Sequence, residues 1–199
     1  MIIIKNQLNA PPYKRFYAHY QRAIKVKQKN PEAVCISSFD KNLEEINARY
    51  VNLKYINGNQ WIFFTNYDSD KAKDFESHPY VAATLYWNKL NIQIRIKATI
   101  KKSSKQISDC HFNKRSSRKN ALAVSSMQSK KIESYEIVKE NYRKVLNNKD
   151  LLNKRPNYWG GYSFQPFHFE FWEGQEQRLN KREVFKKTGS TWENIYLQP

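Results

Sequence analysis

The sequence predicts an α+β fold: an antiparallel β-barrel or sandwich core decorated by helices. Three observations predict it. Short runs of β-branched and aromatic residues, bounded by turn residues, recur about every ten residues, the spacing of an all-antiparallel sheet. The run NIQIRIKATI (91–100) alternates Ile92, Ile94 and Ile96 with Gln93, Arg95 and Lys97, the period of a strand with one buried face. From Ser103 to Asn148 the pattern turns helical and basic, and strands then return.

The elements follow in order. Residues 12–30 read as a helix, with Pro12 in the first turn and Phe16, Tyr20, Ile24 and Val26 on one stripe. AVCISSF (33–39) is a buried strand, DKN a turn, and INARYVNLK (46–54) a second strand. Asn57-Gly58 marks a tight hairpin that returns through QWIFFTN (60–66). SDKAKDFES (69–77) is a short helix with Ser69 at its N-cap, and YVAATLYW (80–87) is a strand. Helices are expected at 104–113, 118–125 and 132–147, and Pro156 ends the helical stretch. Strands follow at 162–164, 168–172, 177–186 and 191–197. In the strand 177–186, alternation puts Arg178, Asn180 and Arg182 on one face and Leu179 on the other, towards the core. With 199 residues and neither an internal repeat nor a Gly/Ser linker, we expect one domain over 1–199. It has an N-terminal arm and helix (1–30) and a helical basic segment (103–156).

Lys and Arg number 35 against 18 acids, a net charge of +17. The excess is densest from Arg95 to Arg155, with 17 basic and 5 acidic residues. No finger, recognition-helix or RNP-type pattern accompanies it, so compositional bias and phosphate-bearing small molecules account for the charge better than nucleic acid. Cys35 and Cys110 form no C-x-x-C or zinc pattern, which fits a reducing, cytoplasmic setting. The start MIIIKNQLNAPPYKR lacks a signal-peptide core, and no segment is long and apolar enough for a membrane span.

Familiar catalytic constellations are missing. With five glycines there is no phosphate-binding glycine loop, and no G-x-S-x-G occurs. His19, His78, His111 and His168 lack metal-ligand spacing, so no metal is expected. If the chain is an enzyme, a bound cofactor carries the chemistry.

Six segments, in order, change the picture: RYVNLK (49–54), FFTN with SDKAK (63–73), IQIRI (92–96), MQS (127–129), YWGGY (158–162) and FWEGQEQRLNKR (171–182). From about residue 33 to Pro199 the chain resembles the pyridoxamine 5′-phosphate oxidase family, whose members are FMN-binding Greek-key split β-barrels that dimerise with flavin at the subunit interface. The resemblance implies cofactor contacts from the strand Arg49, Tyr50, Val51, Asn52, Leu53 and Lys54, and from Phe64, Thr65, Lys71, Gln93, Trp172 and Arg182. Gln128 and Ser129 would come from the partner subunit. Lys54, His111, Arg115 and Lys119 would hold a substrate phosphate, and Arg178 and Asn180 would act over the substrate ring as catalytic residues.

Four positions depart from the family pattern. His111 stands for Tyr, Lys119 for Ser, Asn180 for His, and Asp70 for the basic partner of Lys71. At a helix N-terminus Asp70 is expected to face solvent. The implied function is FMN-dependent oxidation of pyridoxamine or pyridoxine 5′-phosphate to pyridoxal 5′-phosphate by dioxygen, in a cytoplasmic homodimer. A diverged relative acting on another aromatic substrate, of phenazine type, and a non-catalytic flavin- or phosphate-binding protein are the alternatives.

Overall fold

The computed structural model describes residues 1–199. Ten strands form a single sheet and six helices pack around it. In chain order these are β1 (Ile3–Lys5), α1 (Pro11–Lys25), β2 (Ala33–Asp40), β3 (Glu45–Asn52), β4 (Tyr55–Asn57), β5 (Gln60–Asn66), α2 (Asp70–Ser77), β6 (Tyr80–Trp87) and β7 (Ile92–Lys102). There follow α3 (Lys105–Asn113), α4 (Ser117–Ser125), α5 (Tyr135–Leu146), α6 (Lys149–Asn153), β8 (Trp159–Glu173), β9 (Lys181–Thr188) and β10 (Thr191–Leu197).

The strand order is β1-β4-β5-β8-β7-β6-β2-β3, with β9 added to β8 and β10 to β9. Every pairing is antiparallel except that of β1 with β4. β8 is the branch point. Its first half pairs with β5 (Asn66 opposite Trp159) and its second half with β9 (Glu173 opposite Lys181). Opposite β7 the register shifts between Lys97 and Ala98, a bulge that bends the strand and lets one strand serve two parts of the sheet. The sheet is open: β3, at one end of the strand order, ladders only with β2.

The core follows from alternation. Ile92, Ile94, Ile96, Ala98 and Ile100 of β7 are buried while the residues between them face outward or lie partly covered. Phe16 and Tyr20 of α1 pack with Trp61 and Trp87 over the inner face of the sheet. Burying such large apolar side chains is the main stabilising term of the fold.

Several expected boundaries shift. α1 stops at Lys25 because Lys27 and Asn30 take left-handed φ values of 53° and 50°, which leaves Val26 off the buried stripe. Strands 162–164 and 168–172 are one strand, since the intervening Pro166 and Phe167 are absorbed at the bulge. Two short elements, β1 and α6, carry no sequence pattern long enough to read.

The expected strand 177–186 begins only at Lys181. Residues Glu176–Arg178 form a short 3₁₀ turn in which Gln177 and Arg178 have φ of 55° and 63°. Arg178, Asn180 and Arg182 therefore do not share one strand face, and Leu179 is 68% exposed rather than directed to the core. The left-handed pair reverses the chain, and period-two reasoning does not hold across such a turn.

Candidate active site

A cleft of about 690 Å³ opens where the end of β3, the middle of β5 and the start of α2 meet the α3–α4 region. Tyr50, Val51 and Asn52 supply one wall, and Phe64, Thr65 and Lys71 the next. His111, Lys114, Arg115, Ser116, Lys119 and Leu122 come from the basic helices, and Gln128 and Trp159 complete the lining with Lys54. Five of these residues are cationic and none is acidic. Such a site, walled by low-dielectric protein, concentrates positive potential.

Lys71 is the most buried of the cations, at 8% exposure. Its Nζ donates to Thr65 Oγ1 and to Ser69 Oγ, each at 3.2 Å. Burial first, and the nearby Arg49 second, lower its pKa. No carboxylate lies within ion-pair distance of it, so a buried ammonium beside a helix N-terminus is left short of negative charge. Asp70 and Asp74 act on it only from beyond that distance. The Asp70 side chain is 63% exposed and pairs with Lys73 at 3.2 Å, as its place in the first turn suggested.

Arg115 lies with its guanidinium carbon 4.3 Å above the Trp159 ring, and its Nη2 donates to the Lys119 carbonyl at 2.8 Å. Its Nη1 is buried and has no partner. Burial lowers its pKa to about 10, which leaves it charged at neutral pH. Asn120 fixes the backbone beneath it by donating to the carbonyls of Phe112 (3.2 Å) and Leu152 (3.4 Å). Lys54 is likewise pushed down by burial, against the pull of Glu32.

His111 completes an aromatic wall. Its ring stacks on Phe64 at 3.8 Å and 14°, and Phe64 stacks on Trp159 at 5.5 Å and 15°. Its Nδ1 lies 2.8 Å from the Tyr55 hydroxyl. Burial and four surrounding cations (Arg115, Lys54, Lys119 and Lys114) lower its pKa to about 4, so the ring is neutral.

The residues expected to contact cofactor fall into two groups. Tyr50, Val51, Asn52, Lys54, Phe64, Thr65, Lys71 and Gln128 meet in the cleft, as do His111, Arg115 and Lys119 from the expected phosphate set. Gln128 does not need a partner subunit to get there. It accepts from Thr65 Oγ1 of its own chain at 3.1 Å, and Ser129 Oγ sits 3.5 Å from the Asp70 amide of the same chain. Leu53 is fully buried beneath the cleft. Arg49 lies behind it, ion-paired at 3.2 Å to Asp74, which is 1% exposed, and bonded to Ser38 Oγ. β3 ends at Asn52, so Lys54 lies beyond the strand that carries Arg49.

Gln93, Trp172 and Arg182 form the second group. They are cross-strand neighbours in one row of β7, β8 and β9, away from the cleft lining. Arg182 meets the buried Glu170 at 2.8 Å. Asn180 Oδ1 accepts from the Gln175 amide at 3.1 Å, closing the turn that holds Arg178. Sequence reasoning missed Trp159, Lys114 and Tyr55. Trp159 lies inside the YWGGY segment and Tyr55 directly follows RYVNLK, so proximity to a motif is the available signal.

The donor set fits a phosphate-bearing planar ligand. Lys71 with Thr65, and Arg115 with Lys54 and Lys119, are charge-assisted donors of the kind phosphate oxygens accept, and stacked rings wall the space between. The fold and the cleft thus define a class: an open, helix-decorated barrel with an anion-holding, aromatic-walled ligand site. Residues 21–149 match the family model described as pyridoxamine 5′-phosphate oxidase, and residues 159–199 match that of the pyridoxine 5′-phosphate oxidase C-terminal dimerisation region. The chain belongs to the pyridoxamine 5′-phosphate oxidase family, a family of oxidoreductases.

Among its relatives, the pyridoxine/pyridoxamine 5′-phosphate oxidase of Polynucleobacter asymbioticus is 32% identical over 188 residues, covering 94% of this chain and 89% of the relative. That of Leptospira interrogans is 36% identical over 156 residues, covering 76% and 72%. The crystal structure of PhzG from Burkholderia lata 383, in complex with tetrahydrophenazine-1-carboxylic acid, has the same fold, with a TM-score of 0.89 at 23% identity over 94% of this chain and 92% of that one.

Proposed function

We propose that the protein is an FMN-dependent oxidase that converts pyridoxamine or pyridoxine 5′-phosphate to pyridoxal 5′-phosphate, with dioxygen as the acceptor. The observation that carries this reading is the acid-free cleft in which a buried lysine, Lys71, and an arginine with an unpartnered buried Nη1, Arg115, share one aromatic-walled space. Two separate phosphate sites in one cavity suit a cofactor and a substrate that both carry phosphate. In this reading Lys71, Thr65 and the α2 N-terminus hold the FMN phosphate, and Arg115, Lys54, Lys119 and His111 hold the substrate phosphate.

FMN held there would supply the two-electron redox chemistry that links oxidation of the substrate carbon bearing the amine or alcohol to reduction of dioxygen to peroxide. The chain's own part is orientation. Charge-assisted donors fix the phosphate end of the substrate and thereby place the distant carbon. Gln93, Trp172, Arg182, Arg178 and Asn180 do not line this cleft, so we infer that a second copy of the chain brings them to it in a homodimer. The match of residues 159–199 to a dimerisation region supports that arrangement. No helix is long and apolar enough to cross a membrane, and both cysteines are free, which fits a reducing cytoplasm. We read residues 1–199 as one functional unit.

The test is turnover. Purified protein with FMN and pyridoxamine 5′-phosphate should yield pyridoxal 5′-phosphate, ammonia and peroxide in equal amounts. No turnover at saturating substrate removes the reading. One observation favours a second reading, oxidation of a different aromatic substrate: Asn180 stands where the family pattern has His, and its side chain is committed to the Gln175 amide. If Asn180→His creates activity toward pyridoxine 5′-phosphate that the natural chain lacks, this second reading is the correct one.

A further inference from the structure

We propose that Tyr55 is a positioning residue for the cleft: its hydroxyl holds the His111 imidazole with its single proton on Nε2, so that the ring offers a neutral N–H donor to a bound phosphate. The proposal rests on the phosphate-binding role given to the cleft above.

Tyr55 opens β4, directly after Lys54. Its hydroxyl is 2.8 Å from His111 Nδ1, and its ring meets the imidazole edge-on at 5.3 Å and 86°. Phe64 covers the other side of the imidazole at 3.8 Å. A stacking face and an edge contact fix the plane of the ring, and the bond to Tyr55 sets which edge faces the phenol. Nε2 makes no hydrogen bond within the chain and is not among the buried polar atoms left without a partner. The charged groups that act on the ring are Arg115, Lys54, Lys119 and Lys114, all cationic. The cavities on either side of it contain no carboxylate. The imidazole is therefore neutral and carries one proton, on one nitrogen or the other.

A phenol hydroxyl can donate to Nδ1 or accept from an Nδ1–H, and two features here favour donation. Burial raises the Tyr55 pKa, so its proton is retained at neutral pH, and His111 Nδ1 is its one hydrogen-bond partner. Donating that proton to Nδ1 leaves Nε2 as the N–H. The opposite tautomer would turn a lone pair toward an anion, which a phosphate site disfavours. A tyrosine at position 111 would always have a proton to give; a histidine has one there only if its tautomer is fixed. The two residues act as a unit, with Tyr55 supplying what the imidazole lacks.

The test uses the full chain in two arms. Nitrogen-15 NMR of the cofactor-free protein reports the His111 tautomer. Calorimetric titration with 4-deoxypyridoxine 5′-phosphate, which lacks the oxidisable group, reports phosphate-ligand affinity. We expect the Nε2–H form in the natural chain and loss of that preference in Tyr55→Phe. The affinity of Tyr55→Phe should fall about three- to tenfold, the worth of one neutral hydrogen bond. In a His111→Gln background, where the amide donor has no tautomer, Tyr55→Phe should cost no further affinity. A proton on Nδ1 in the natural chain overturns the proposal. So does a Tyr55→Phe variant with unchanged affinity, or one whose loss persists in the Gln background. Failure of the natural chain to bind the analogue at all instead removes the phosphate-binding reading, and the NMR arm still decides the tautomer.

Discussion

Arg182 and Glu170 are locked together across β8 and β9: Nη2 and Nε of the arginine lie 2.8 and 2.9 Å from the same carboxylate oxygen, on a glutamate side chain only 6% exposed. The other oxygen of Glu170 meets Arg95 Nη1 at 2.9 Å. One buried carboxylate thus orients two guanidiniums, on the two strands that flank β8. Glu170→Gln removes the charge and leaves both arginines facing a neutral amide. Arg95 and Arg182 are partly solvated, so the cost is below that of a fully buried pair. We expect about 1–3 kcal/mol of lost stability, measured as a shift in the denaturant midpoint. A change under about 0.5 kcal/mol would mean the pair behaves as an ordinary surface ion pair.

Lys71→Met separates binding from stability. The buried ammonium has two hydroxyls and no carboxylate as partners, so the apoprotein should unfold no more easily with Met in its place. Affinity for FMN should fall about 10- to 100-fold, the worth of a charge-assisted hydrogen bond of roughly 1.5–3 kcal/mol. Flavin fluorescence titration alongside thermal unfolding reads both.

The pH dependence of stability follows from two histidines. Burial lowers the pKa of His19 to about 4 despite Glu173, and burial with four cations lowers that of His111 to about 4. Each folded-state pKa lies below the unfolded value of about 6.5, so the unfolded chain binds more protons between the two. Stability is therefore fully present above pH 6.5 and lost as the pH falls from 6.5 towards 4. Unfolding titrations across that window should show the decline, and His111→Gln should make it shallower.

Gly161 lets β8 pass close beneath the cleft wall. A Cβ built there would lie 2.9 Å from Ser103 Oγ and 3.1 Å from Phe64 Cε1. Gly161→Ala must push Phe64, the ring on which His111 stacks. We expect a loss of about 1–3 kcal/mol from overpacking together with weaker flavin binding, measured by unfolding and titration of the same variant.

Much of the fold was legible because its signals are periodic. The alternation of β7 and the turn chemistry at Gly58, with φ of 58°, report the local structure directly. The cationic cluster is legible through the resemblance, which places Lys54, Lys71, Arg115 and Lys119 at phosphate-holding positions of the family pattern. What stayed hidden depends on long-range or left-handed geometry. Gln177 and Arg178 adopt left-handed conformations that their residue types do not announce, so the strand begins only after them. The contact of Gln128 with Thr65 of its own chain spans 63 residues, and the sequence carries no local sign of it. The Tyr55–His111 bond spans 56 residues, and neither residue carries a mark of the other.

The central claim, that this cleft oxidises a phosphorylated pyridoxine-type substrate through bound flavin, is tested most directly by anaerobic mixing. FMN-loaded protein is combined with pyridoxamine 5′-phosphate while the flavin spectrum is followed. The account predicts loss of the oxidised-flavin absorbance with one pyridoxal 5′-phosphate formed per flavin, and its recovery when oxygen is admitted. A flavin that binds but stays oxidised at saturating substrate would contradict it.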